Sequence, residues 1–130
     1  METKTGSCHC GKVKFEATGD FNKVISCNCS ICQRKGSLLA FVPENNFRLL
    51  QGAESLTDYQ FGKKKIHHTF CSTCGVTAFA SGETPDGIKI KAINVRSLEG
   101  VNLKELTVQE IDGQSLDRKS TRLNSSHTDI

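Results

Sequence analysis

Short runs of alternating apolar residues, Gly, Asn, Asp and Pro between them, and seven cysteines at the run ends predict an all-β fold. Its strands would be short and antiparallel, organised around metal centres. The expected strands are Val13 to Thr18, Val24 to Cys27, Leu38 to Val42 and Phe47 to Gln51, then Ser55 to Phe61, Ile66 to Phe70, Val76 to Ser81 and Ile88 to Val95. Breaks fall at Gly19-Asp20, Pro43-Glu44-Asn45-Asn46, Gly62 with its lysines, Cys71 to Gly75, and Pro85-Asp86-Gly87. Tyr59 to Gly62, the lysines, and Ile66 to Phe70 read as a hairpin leading into a cysteine pair. Residues 1–117 are expected to form one domain, while 118–130, RKSTRLNSSHTDI, lose apolar periodicity and are expected to lie outside it, as a natural tail or foreign sequence.

A length of 130 residues suits one domain with an adequate core, to which a metal would add stability. The chain contains no Trp and one Tyr, and no apolar run of about 18 residues that would suggest a membrane helix. METKTGSCHC has no apolar segment ahead of its first cysteine, so the expected compartment is the cytoplasm, or the nucleus. Reducing compartments favour metal ligation or catalysis by cysteine over structural disulfides, and seven is an odd number for pairing. The formal charge of +3 would be offset by seven thiolates around two divalent ions, which leaves little drive toward nucleic acid. Lys63, Lys64 and Lys65 read as a solvated hairpin tip.

Three motifs carry chemistry: Cys8-His9-Cys10-Gly11, Cys27-Asn28-Cys29-Ser30-Ile31-Cys32 and Cys71-Ser72-Thr73-Cys74-Gly75. In extended chain, residues two apart point to the same side about 6.6 Å apart, and a slight bend brings both sulfurs to one ion. In Cys-x-x-Cys-Gly the turn does this, with Gly75 free to take a positive φ so that backbone amides reach the thiolates. Two such pairs complete a four-thiolate site, so Cys8, Cys10, Cys71 and Cys74 are assigned to one closed, structural zinc. Scattered buried cysteines or a redox pair at Cys71 and Cys74 are the alternatives, but a thioredoxin-like pair should open a helix, whereas GVTAFAS continues as strand.

Cys27, Cys29 and Cys32 then form a set of three with one position open, the pattern of a catalytic zinc. Three thiolates weaken the ion as a Lewis acid, so capture and ionisation of an external thiol is the natural chemistry. His9, His67 or His68 could instead close the site as a fourth ligand. Arg34 and Lys35 either offset its charge, pair with substrate carboxylates, or lie in a solvated turn.

Together, Gly-Ser-Cys-His-Cys-Gly-Lys-Val, Ser-Cys-Asn-Cys-Ser-Ile-Cys and His-Thr-Phe-Cys-Ser-Thr-Cys-Gly-Val resemble the glutathione-dependent formaldehyde-activating enzyme family, which includes the domain of centromere protein V. The resemblance spans residues 5 to 113 and includes Ile93 to Arg96 and the stretch ending Ile111-Asp112-Gly113 as closing strands. It implies a β-tent type fold with two zinc ions per chain. In the family's pattern Cys8, Cys10, Cys71 and Cys74 match the structural ligands, and Cys27, Cys29 and Cys32 the catalytic ones. The implied activity is that of a carbon–sulfur lyase joining the thiol of glutathione, or a similar thiol, to formaldehyde or another small aldehyde. A non-catalytic zinc scaffold or interaction module, and a thiol carrier or metal sensor, are the competing functions. The glutathione contacts, the true aldehyde and the oligomeric state are not legible in the residues.

Overall fold

The computed structural model describes residues 1–61 and 66–112. β1 (Glu2–Ser7) pairs antiparallel with β2 (Lys14–Gly19), which in turn pairs with β5 (Phe47–Gln51) in a three-stranded sheet. β3 (Lys23–Cys27), β4 (Leu39–Pro43), β8 (Phe79–Glu83), β9 (Lys89–Asn94) and β10 (Thr107–Ile111) make a five-stranded sheet in the order β10-β3-β4-β9-β8. β6 (Leu56–Tyr59) and β7 (His68–Cys71) form a separate antiparallel pair. All-β architecture is therefore what the apolar alternation foretold, with one short helix, α1 (Ser30–Lys35), added.

Strand β2 is the clearest case of pattern becoming structure. Along Lys14–Gly19 the even-numbered side chains face outward and Phe15, Ala17 and Gly19 face inward. Phe15 and Phe21 are fully buried with Val13, Ile93 and Val95. Phe15 stacks on Phe47 at 5.5 Å and meets Phe79 edge-on at 5.7 Å, and Phe47 and Phe79 lie 4.6 Å apart. Burying a phenylalanine fully contributes roughly 1.5–3 kcal/mol, so this trio is the anchor between the two larger sheets.

Several elements depart from the expectation. β1 carries almost no apolar residues; it forms because its backbone pairs with β2 over its whole length, from Glu2↔Gly19 to Ser7↔Lys14. The antiparallel expectation fails at β10, which runs parallel to β3 with Thr107↔Lys23 through Ile111↔Cys27. A parallel partner needs a long crossover, and here the chain from β4 to β9 lies between the two strands. The chain is not β throughout: Arg34 and Lys35 lie in α1, and Gly36 ends it with φ +69° and an N–H donated to Cys32 O at 2.9 Å. The hairpin strands β6 and β7 are shorter than expected. Lys63 to Lys65 and residues 113–130, including the boundary expected after 117, lie outside the described residues. Among the described residues no helix is long and apolar enough to cross a membrane.

Candidate functional site

Cys8 and Cys10 follow β1, Cys71 closes β7, and Cys74 lies in the turn beyond it. Their four sulfurs lie within 4.8 Å of one another. Cys10 Sγ is 3.6 Å from both Cys8 Sγ and Cys71 Sγ. Four sulfurs about 2.3 Å from one ion stand about 3.8 Å apart along a tetrahedron's edges, whereas a disulfide brings two to about 2.05 Å. The spacing fits four thiolates around a soft divalent ion and excludes a disulfide.

Local chain geometry supports the same reading. Gly75 takes φ +81°, as the motif requires, and donates its N–H to Cys71 O at 2.8 Å. The Val13 amide approaches Cys8 Sγ at 3.4 Å. Hydrogen bonds from the amides of Val76 and Cys10 pull the Cys74 thiol down to about 6, and those of Cys74 and Thr73 lower Cys71. The Lys12 amide lowers Cys10 too, but burial and its hydrogen bonds with Cys71, Cys8 and Cys74 outweigh that and push it up to about 11. Cys8 and Cys71 belong to the hydrophobic core, so an ion here would sit in its wall.

The second group forms where β3 passes into α1. Cys27 ends the strand, Cys29 is the N-cap residue in extended conformation (φ −61°, ψ 164°), and Cys32 falls in the helix's first turn. Side chains at the N-cap and three residues on face each other, the relation a capping box uses, and here both are thiols. The three sulfurs lie within 4.8 Å, all half-buried, with the Cys29 amide 3.4 Å from Cys27 Sγ. Among the described residues no His, Asp or Glu atom joins this group. His67 instead has Nδ1 2.6 Å from Asp58 Oδ2, His68 is buried with its ring stacked 5.4 Å from Phe61, and His9 is exposed. Neither group includes a histidine.

Electrostatics around the three sulfurs are lopsided. Hydrogen bonding with Cys29, then burial and the charges of Cys29 and Cys27, raise Cys32 far above the ordinary thiol range, with Lys35 opposing. Burial lowers Lys35, and the charges of Cys32 and Cys29 work against that. Lys35 is thus the cation that feels this group. Arg34, by contrast, spends its Nη1 on Ser30 O at 2.8 Å within its own helix.

Residues that motif reasoning missed hold the group in place. Asn28 donates its backbone N–H to Ile111 O at 3.2 Å and its Nδ2 to Asp112 Oδ1 at 3.2 Å, fixing the strand end between two cysteines. Arg96 Nε donates to Gly36 O at 3.1 Å, securing the far end of α1. The only sequence signal for these contacts was the pair of closing segments around residues 93–96 and 111–113.

A family model described as glutathione-dependent formaldehyde-activating enzyme matches residues 3–107. The crystal structure of a protein from Rhodobacter sphaeroides is similar, with a TM-score of 0.70 and 36% identity over 81% of this chain and 99% of that one. Both cysteine groups lie inside the matched span, and the chain belongs to the glutathione-dependent formaldehyde-activating enzyme family.

Proposed function

We propose that the chain is a zinc-dependent protein of the carbon–sulfur lyase class that joins glutathione, or a similar thiol, to formaldehyde or another small aldehyde. The observation that carries this reading is the group of three half-buried thiols with no fourth ligand atom among the described residues, in a chain of this family. Cys8, Cys10, Cys71 and Cys74 would hold a closed, structural zinc, and Cys27, Cys29 and Cys32 an open one. A zinc ion with an open position lowers the pKa of an incoming thiol and holds the sulfur as nucleophile.

The chain's own residues do the rest. Cys29 and Cys32 are fixed by the start of α1 and Cys27 by β3, so the three donors are preorganised. Lys35 supplies the nearby positive charge, which suits a substrate carrying carboxylates. The net reaction forms one carbon–sulfur bond at the aldehyde carbon and transfers the thiol's proton to the former carbonyl oxygen, giving an S-hydroxymethyl thiol.

The test is zinc stoichiometry with and without Cys29→Ser, followed by a glutathione titration at the zinc X-ray absorption edge. About two ions per chain falling to about one, with sulfur coordination rising as glutathione is added, is the expected result. A second zinc that ignores millimolar glutathione would overturn the reading.

A further inference from the structure

A cleft of about 520 Å³ opens between the β6–β7 pair and the β8–β9 end of the large sheet. That volume falls within the roughly 300–1,000 Å³ of small-molecule sites. Its apolar lining includes Phe47, Leu49, Leu56 and Phe79, and no cysteine borders it. His67 and His68 are neighbours on extended chain and so project to opposite faces. His67 lines the cleft, while His68 is buried against Phe61 and feels the charge of Lys35.

Lys91 is the unusual member of this lining. Its ammonium lies 5.1 Å from the Phe47 ring centre and 5.7 Å from that of Phe79, and it donates to Ser81 Oγ at 2.8 Å. It is half-buried, and among the described residues it forms no ion pair. The carboxylates around the cleft are exposed: Asp58 is held by His67, Glu83 lies across the ladder from Lys89, and Glu44 is at the rim. An ammonium has three N–H donors, and one of them serves Ser81. A partly desolvated cation with spare donors and no counter-ion favours an anion brought in from outside.

Polar groups also converge from the facing strand. His67 and Ser81 bridge the two strand pairs through both backbone bonds, at 2.8 and 3.0 Å, so their side chains share one face. We propose that this cleft is a second binding site, for a small organic carboxylate with an apolar body. The carboxylate lies on the free N–H donors of Lys91 beside Ser81, and the body packs against Leu49 and Leu56. The site is independent of the thiol chemistry at Cys27, Cys29 and Cys32.

The test is a two-dimensional ¹H–¹⁵N NMR titration of the full, zinc-loaded chain with sodium phenylacetate. Saturable shifts are expected at the amides of Phe79 to Gly82 and of Ile90 and Lys91. Lys91→Met keeps an unbranched apolar stem over the rings, and losing its charge-assisted bond should weaken binding by about tenfold or more. Phenylacetamide, the uncharged analogue, should bind comparably weakly, and it decides the question if Lys91→Met fails to fold. Shifts confined to Cys27 to Lys35, no saturation, or equal binding of phenylacetamide and phenylacetate would each overturn the proposal.

Discussion

Gly52 shows how one residue governs the closed cysteine group without touching it. Its φ is +97°, and a Cβ there would stand 2.3 Å from Lys12 O and 2.7 Å from Val13 Cα. Those are backbone atoms of the segment that follows Cys10 and lends its Val13 amide to Cys8. Gly52→Ala should therefore cost about 3 kcal/mol, from left-handed strain plus overlap, measured by urea denaturation. Gly87→Ala, at φ +85° with open space around it, should cost only about 1 kcal/mol. Equal losses would mean that the close approach is relieved by a shift of the Lys12 segment. His68 provides a pH-dependent effect at the same scale. Burial, then the charge of Lys35, hold its imidazole below the ordinary 6.5, with Asp58 opposing. The unfolded chain takes up that proton from 6.5 downward while the folded chain resists, so the stability due to neutral His68 is complete above 6.5 and is lost as pH falls through the lower folded value. Urea midpoints should decline more steeply below pH 6.5 in the parent chain than in His68→Gln, and parallel profiles would rule His68 out.

At the scale of elements, the three-cysteine group depends on a strand that has no ligand in it. β10 pairs with β3 residue for residue up to Ile111↔Cys27, and Ile111 O and Asp112 together hold Asn28 between Cys27 and Cys29. Deleting residues 107–130 should release metal from that group while the four-cysteine site, built on β1 and β7, keeps its own. Metal analysis would then read about one ion per chain rather than about two; retention of both would show that α1 alone preorganises the donors. This dependence also marks where sequence reasoning ends. Both cysteine groups were legible because Cys-x-Cys and Cys-x-x-Cys spacing is a local property, and β2 was legible because Phe15 and Ala17 alternate with charged or polar neighbours. β1 was not, since Thr-Lys-Thr-Gly has no apolar rhythm and owes its conformation to the backbone of β2. The six residues of α1 are too few to display a helical period. The direction of β10 is a long-range fact that no window of sequence contains.

For the whole molecule, the two cysteine groups play unequal parts. The four-thiol group joins residues 61 apart, such as Cys10 and Cys71, and has Cys8 and Cys71 in the hydrophobic core. The three-thiol group is contained within six residues where β3 passes into α1, and its cysteines are half-buried. An apparent zinc affinity of about 10–16 kcal/mol at a closed thiolate site compares with only about 5–15 kcal/mol of net stability for a domain, so losing the closed ion should unfold the chain. Protons should distinguish the sites as well. Cys74 is held at about 6 by the amides of Val76 and Cys10, so one closed-site thiolate is available at neutral pH before any ion binds, and that advantage is lost only as pH falls through about 6. Cys32 is raised by its hydrogen bond to Cys29 and by burial, so protons compete for it at higher pH. A stepwise acidification with a chromophoric chelator should therefore release metal first from Cys27, Cys29 and Cys32 with the circular dichroism unchanged. The second release, at lower pH, should coincide with loss of the β signal. Simultaneous release and unfolding would mean that both ions hold the fold jointly and that the open group is not free to exchange a ligand without structural cost.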